Sequence, residues 1–572
     1  MKLGLALSGG GFRASFFHIG VLARLAEIGK LSQVEVISTV SGGSIVGAMY
    51  YIKLKKIFDN STSPTNEQLV NLVKEMEVEF LEGVQRNIRM RALVNPLKNL
   101  RMCMANYSRS DRLAELYDEL FYRPVLNPGS KEMIKMRDLK IFPDGKVVNP
   151  DEFNKLPICS KLGKNRCKLP IILINATSLT SGHNWRFEAS SMGEPERASK
   201  DLLDIDKNSR FSRPAKYDEM PEKASNIKLG HAVAASACVP GLFNPLAISE
   251  LYNDIQIQLI DGGVHDNQGI EALLEECCEE VVVSDASKHM SDEMAFSTQI
   301  PHVLSRSTGI LMDRVREEEL KGILNNKGIK STILHLRKGL PVKTVPYINE
   351  INQNKPSDDK ILDFGVHPDI QNALSNIRTD LDSFSDVEAD ALMADGYLMS
   401  HHSFKEKQIL TDSKCNWRFL YLIDKMRTNN NHEFMKHLKT ANKQFLKVFF
   451  LKPIISTLMA LLFISIISTI VWLAFGDDIQ AFLNEPLESK TYKDLFIYIG
   501  GIILLITLSV ILSRWEKLYA LYKFIRQPIT FIGRLLFRAI PPALVSIFIW
   551  LHLEIFDKRF YLRAGKRENF IT

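Results

Sequence analysis

A serine becomes a nucleophile when a base takes its proton and nearby amides hold the charge that its attack creates. Three stretches of this chain carry residues suited to those roles. Ser41 lies in Thr39-Val40-Ser41-Gly42-Gly43, after the strand-like run Val34 to Ser38 and before the helix-compatible run Ser44 to Tyr50. So tight a strand-to-helix turn strains its central residue, lifts the hydroxyl clear of its neighbours and sets it at the positive end of the helix. Small flanking residues suit that geometry. Thr39 is the departure, since G-x-S-x-G would have glycine there. Alone, the pentapeptide reads more readily as a plain connection.

The second stretch is Ser8-Gly9-Gly10-Gly11-Phe12-Arg13, which follows the buried-strand run Leu3 to Leu7. A helix is expected from Ala14 to Ile28, with Phe17, Val21, Leu22, Leu25 and Ile28 on one face. Three glycines let the backbone turn sharply with its N–H groups exposed, and such a turn at a helix N-terminus attracts anions. A nucleotide-binding P-loop needs Gly-Lys-Ser/Thr at its end, and the corresponding place reads Gly11-Phe12-Arg13-Ala14, so that reading fails. The dinucleotide fingerprint comes closer, through Gly9, Gly11 and Ala14. Its next strand, however, ends in Ser38-Thr39 where a ribose-binding acid belongs. An oxyanion asks only for N–H donors near the nucleophile. The two turns are therefore expected to end neighbouring strands of one sheet.

The third stretch, Ile255 to Val264, brings alternating apolar residues up to Asp261-Gly262-Gly263. The glycines turn the chain away without filling the space beside the carboxylate. A carboxylate in reach of a serine can take its proton directly, with no histidine between them. Asp261 is the expected base, and an aspartate starting a turn is its plain alternative.

In this order, the glycine-rich loop, the elbow serine and the D-G-G aspartate resemble the patatin-like phospholipase family. His231 to Gly241, a small-residue helix ending in Pro240, looks like the family's segment ahead of the aspartate strand. The resemblance covers roughly the first half of the chain. It implies an α/β three-layer sandwich with a mostly parallel central sheet. It also implies Ser41 as nucleophile, Asp261 as base, and Gly9, Gly10 and Gly11 as oxyanion donors with help from the Gly42 N–H, without metal or cofactor. A Ser-His-Asp triad is the competing chemistry. His18 and His231 do not follow the aspartate as in α/β-hydrolases, and His265, four residues past it, is the closer rival. Arg13 has two readings, orienting a lipid phosphate or pairing with a carboxylate at the helix start.

The chain has 572 residues, too many for one ordinary domain, and a net charge of +6 that calls for no nucleic-acid partner. Its seven cysteines, single apart from Cys277-Cys278, lack metal-ligand spacing and suggest a reducing compartment. Met1-Lys2 passes straight into the first strand without a signal-like segment. A patatin-like catalytic domain is expected over 1–345, with a helical insertion at about 56–165. In that insertion Leu69, Val73, Met76, Phe80 and Val84 trace an amphipathic helix, followed by cations from Arg86 to Arg101. The helix reads as a cap on the core or as a lid resting on a membrane. Further strands are expected at Ile171 to Asn175, Val281 to Asp285 and Thr332 to Leu336. A helical extension of the soluble part occupies 346–445, with a late helix from Ser385 to Ser403.

Residues 446–572 differ in kind. Residues 454–475 and 495–513 carry no charge, and at 1.5 Å per residue each would span about 28–33 Å, close to the hydrocarbon thickness. Both read as C-terminal transmembrane helices. Lys443, Lys447 and Lys452 precede the first, and six cations from Arg514 to Arg538 follow the second. Acidic residues dominate the loop between them. The positive-inside rule then makes this an integral membrane protein whose catalytic domain faces the cytoplasm. The stretch 539–556 reads as a third span or, better, as a re-entrant or interfacial segment, because a crossing would put the basic tail outside.

The resulting expectation is a membrane-anchored lipid acyl hydrolase, of phospholipase A or lysophospholipase type, working through a Ser41-Asp261 dyad on lipids of the bilayer that holds it. Its control would come from a lid, an activating ligand or a homo-oligomer. A catalytically silent membrane scaffold or lipid-binding protein is the alternative. A channel or transporter ranks last, since the spans lack charges to line a path.

Overall fold

The computed structural model describes residues 1–61, 63–102, 104, 106–155, 167–195, 214–288, 290, 293, 296–342, 360–405, 415–444, 447–452, 546, 549–550 and 552–571. Met1–Lys447 and Ile549–Thr572 form one unit, and Val448–Phe548 a second. All the chemistry named above lies in the first.

Strand β1 (Leu3–Leu7) is buried throughout. Leu3, Leu5 and Leu7 enter the larger apolar cluster and Ala6 the smaller one, as the period-two alternation of a strand requires. Such two-sided burial belongs to a parallel sheet covered by helices on both faces. β1 lies between β2 (Val34–Val40) and β9 (Glu280–Asp285). β10 (Lys330–His335) extends the sheet beyond β9, and β3 (Ile171–Ser178) beyond β2, all in parallel pairs. From β3 outward the pairing turns antiparallel through β4 (Asn184–Phe187), β5 (Ser191–Gly193) and β6 (Ala215–Lys216). β7 (Leu246–Tyr252) pairs with β8 (Ile255–Asp261), and β8 with the end of β3. The expected mostly parallel sheet is present, and the glycine loop and the elbow do leave adjacent strands.

Helix α1 (Gly11–Glu27) is buried from Phe12 to Glu27. One reason is the helix Asp386–Lys405, which presses against it so closely that glycine is needed on both sides. A Cβ on Gly20 would sit 1.9 Å from the Met393 carbonyl oxygen, and one on Gly396 2.2 Å from that of Phe17. The helix Asp386–Lys405 therefore shares a core with α1 and the sheet behind the candidate site. α2 (Gly42–Asp59) follows the elbow. α3 (Asn66–Val84) starts from a capping box in which Thr65 and Gln68 satisfy each other's orphan amides. Leu69, Val73, Met76, Phe80 and Val84 are all buried. Phe80 meets Phe12 edge-on at 6.0 Å and stacks on Phe121 at 4.8 Å. This helix is a core element and not a membrane-resting lid.

Among the described residues no helix is long and apolar enough to cross a membrane. The stretches 454–475 and 495–513 lie outside the described residues, as does most of 539–548. From Ile549 the chain is part of the first unit again. There Tyr561 is buried with its hydroxyl on Glu388, and Arg567 grips Asp390 at 2.8 and 2.9 Å.

Candidate active site

Ser41 ends β2 and caps α2. Its backbone sits at φ 49°, ψ −116°, in the region that side chains rarely adopt, and its neighbours hold it there. The Ser41 N–H donates to Ser236 Oγ at 2.9 Å, and its carbonyl accepts from Ser44 N at 2.9 Å. The glycines beside it are obligatory. A Cβ on Gly42 would fall 2.1 Å from the Gly11 carbonyl oxygen, and one on Gly43 2.1 Å from that of Leu7. The two turns are thus in backbone contact.

Thr39 fits by a size exchange across the turn. A Cβ on Gly47 would lie 2.6 Å from Thr39 Cγ2, so the missing side chain at 47 makes room for the threonine methyl. The hydroxyl is used as well. It donates to the Leu173 carbonyl at 3.0 Å and accepts from Ser44 Oγ at 3.0 Å, and Ser44 Oγ also lies 2.8 Å from Ser236 Oγ. A network of buried hydroxyls therefore runs under the elbow to the Ser41 amide.

β8 delivers Asp261 opposite Ala176 of β3. Asp261 accepts from Gly263 N at 2.7 Å, and the nearby Ser41 side chain favours its ionised form. Burial raises its pKa to about 7, and the Gly263 N–H and Ser41 contacts pull it back only in part. It has no ion pair among the described residues.

The glycine loop divides. Gly9 N donates to the Asn267 carbonyl at 2.9 Å, which removes Gly9 from the expected oxyanion donors. The N–H groups of Gly10, Gly11 and Gly42 have no acceptor among the described residues. Gly11 and Gly42 open helices, where first-turn amides have no partner within the helix. Gly10 and Gly11 take φ of 139° and 57°, which a side chain would resist.

The patatin-like phospholipase family profile matches residues 5–274. The first unit carries a patatin-like phospholipase domain.

No curated protein sequence matches the chain. Among solved structures, human GIVD cytosolic phospholipase A2 in complex with methyl gamma-linolenyl fluorophosphonate is similar at 12% identity. The match covers 71% of this chain and 58% of that one, with a TM-score of 0.33 in the form that also holds terbium chloride. VipD from Legionella pneumophila is similar at 13% identity over 61% of this chain and 63% of that one, with a TM-score of 0.24. This chain thus spans about three fifths of either protein.

Within the patatin-like domain the histidines are engaged elsewhere. His18 Nδ1 lies 2.7 Å from Ser284 Oγ and Nε2 3.0 Å from the Ser8 carbonyl, and burial lowers its pKa to about 4. His231 pairs with Asp111 at 3.4 Å and His265 with Glu271 at 3.2 Å. None of these contacts reaches Ser41 or Asp261. Arg13 is corrected too. It is 1% exposed and donates to the carbonyls of Ser375, Ile377 and Ala286 at 2.8–2.9 Å, so it staples the loops behind the glycine turn and is closed to substrate.

Sequence reasoning missed Ser236 and Asn267. Asn267 reaches both turns, since a Cβ on Gly9 or on Gly263 would meet its Oδ1 at 2.3 or 2.5 Å. Its only trace in the sequence is its position shortly after the D-G-G turn.

Proposed function

We propose that the protein is a lipid acyl hydrolase acting on fatty-acyl esters of membrane glycerolipids. Ser41 Oγ attacks the ester carbonyl while its proton passes to Asp261. The tetrahedral oxyanion is held by the N–H groups of Gly10, Gly11 and Gly42. Asp261 then returns the proton to the leaving alkoxide as the C–O bond breaks, leaving an acyl ester on Ser41. Water, deprotonated by Asp261, attacks that ester, and Asp261 passes the proton on to Ser41 Oγ as the acyl bond breaks and the fatty acid leaves. The observation that supports this reading is a strained serine whose side chain favours the ionised form of a buried carboxyl with a pKa of about 7, beside unengaged amides. A base titrating near neutrality suits general base work. The silent-scaffold alternative rested on Thr39, and Gly47 accommodates that residue.

Membrane anchoring is part of the proposal. It rests on the sequence, where 454–475 and 495–513 are uncharged and each long enough to cross a bilayer. The cations flanking the pair support a cytoplasmic catalytic domain.

The test is release of fatty acid from phospholipid and from a neutral short-chain ester by the detergent-purified full chain. Ser41→Ala should lower both rates by about a thousandfold or more. Undiminished rates would end this reading.

A further inference from the structure

One wall of the glycine turn belongs to the loop that leads into the helix Asp386–Lys405. A Cβ on Gly11 would meet Asp380 N and O at 2.9 Å, and Phe12 N donates to the Asp380 carbonyl at 3.1 Å. The Gly11 amide therefore keeps its direction only while the backbone at Asp380 keeps its place. Arg13 fixes the start of that loop through the Ile377 carbonyl at 2.9 Å. The rest is held by the two chain segments that flank Val448–Phe548.

On the near flank, the Ala441 carbonyl accepts from Arg378 Nη1 at 2.7 Å and the Gln444 carbonyl from Arg89 Nη2 at 3.0 Å, while Arg89 N donates to the Leu381 carbonyl at 3.0 Å. Lys447 then donates to Asp382 at 2.7 Å and to the Ser383 carbonyl at 2.8 Å. On the far flank, Asp557 accepts from Ser383 Oγ at 2.9 Å and from Asn87 Nδ2, and Tyr561 sets its hydroxyl on Glu388. The flanks also meet each other, with Lys447 Nζ 4.1 Å from the centre of the Tyr561 ring. Lys447, Asp557 and Tyr561 are all buried. Such a set favours one arrangement, because a partner left over in the interior stays desolvated.

We propose that Asp557 and Tyr561 are positioning residues for the oxyanion turn. With Lys447 they fix the loop 378–388, and through the Asp380 backbone they fix the direction of the Gly11 N–H. The proposal rests on the hydrolase reading above and adds a control to it, since the turn is set jointly by the chain entering Val448–Phe548 and the chain leaving it. A shift of about 1 Å in a reacting geometry, caused from far away, can cost about a hundredfold in rate.

The experiment measures, in full-length protein, kcat and KM on a monomeric short-chain ester and inhibition by a trifluoromethyl ketone, whose serine adduct places an oxyanion on the same amides. Asp557→Ala and Tyr561→Ala should lower kcat about tenfold or more with KM little changed, and weaken the ketone by a matching factor. The midpoint of the pH profile should stay near 7, because Asp261 is untouched. Tyr561→Phe keeps the ring over Lys447 and should recover part of the loss, and Lys447→Met should act in the same direction from the near flank. Ser383→Ala removes only the hydroxyl that meets Asp557 and serves as the milder variant where Asp557→Ala does not fold. Lys558→Gln should change nothing, since its exposed pair with Glu554 touches none of these groups. Thermal melting checks that each variant is folded at the assay temperature. Folded variants with unchanged kcat overturn the proposal. So does a fall in kcat with the ketone's affinity unchanged or the pH midpoint moved, which would place the damage at the dyad. Hydrolysis that survives Ser41→Ala ends the hydrolase reading itself, whereas full activity in the Asp557 and Tyr561 variants beside an inactive Ser41→Ala ends this inference alone.

Discussion

Two buried sets of carboxylates in the same unit behave in opposite ways. Asp382 and Glu388 lie around Arg378, which donates to them at 2.7 and 2.8 Å, while Lys447 adds a second cation to Asp382 at 2.7 Å. Burial alone would raise both carboxyl pKa values, and the charges of Arg378 and Lys447 together with the hydrogen bonds to these carboxylates more than reverse it. Asp261 is buried as deeply with no cation, and its pKa rises to about 7. The first set is locked as ions and ties Lys447 and the returning C-terminal residue Tyr561 to the loop after Ile377. The second has its pKa lifted by burial into the neutral range. Isolation alone does not make a base, as Asp395 shows. It is likewise buried, with a pKa of about 7, yet the hydrogen bond that reaches it is donated by the Gln371 amide. At Asp261 the neighbouring group is instead the Ser41 hydroxyl, the contact on which the proposed base role rests.

That contrast breaks most visibly by mutation on the cation side. Arg378→Met leaves Asp382 and Glu388 buried without their main partner and should cost about 3–5 kcal/mol in denaturant melts. Asp261→Asn should act in the opposite direction. The folded-state pKa of Asp261 is raised, so the wild type loses stability as pH climbs from about 4 through about 7. The variant should be the more stable by about 2–4 kcal/mol at pH 8 and show little difference at pH 4. A loss of stability at pH 8 would mean that Asp261 is held as an ion after all.

A smaller effect sharpens the elbow itself. Gly47→Ala puts a methyl 2.6 Å from Thr39 Cγ2 and should cost about 1–3 kcal/mol, with slower hydrolysis as the elbow shifts. Adding Thr39→Ser removes that methyl, keeps the hydroxyl and should restore most of both losses. Equal melts for Gly47→Ala and wild type would refute the size exchange.

Much of this was legible in the sequence because it rests on local pattern. Strand-like runs marked β1 and β2, alternation marked β8, glycine runs marked the two turns, and helical spacing marked α1 and α3. Thr39 looked like a misfit because its compensation lies at Gly47, one helical turn and more away, and nothing in the pentapeptide reports it. Arg13 was misread for a related reason. The carbonyls of Ser375 and Ile377 that occupy it come from the far end of the unit. Gly9 was misplaced because its acceptor, the Asn267 carbonyl, is brought in by the turn after β8. The return of the chain to the first unit from Ile549 depends on Asp390 and Glu388, which no spacing near the C-terminus announces.

The central claim is that Asp261 activates Ser41. Its most direct test is the rate at which a fluorophosphonate labels the full-length protein between pH 5 and 9, with the adduct mapped by mass spectrometry. The account predicts a single adduct on Ser41. Its rate should rise about tenfold per pH unit below a midpoint near 7 and level off above it, and Asp261→Asn should abolish that rise. A midpoint unchanged by Asp261→Asn, or an adduct on another residue, would contradict it.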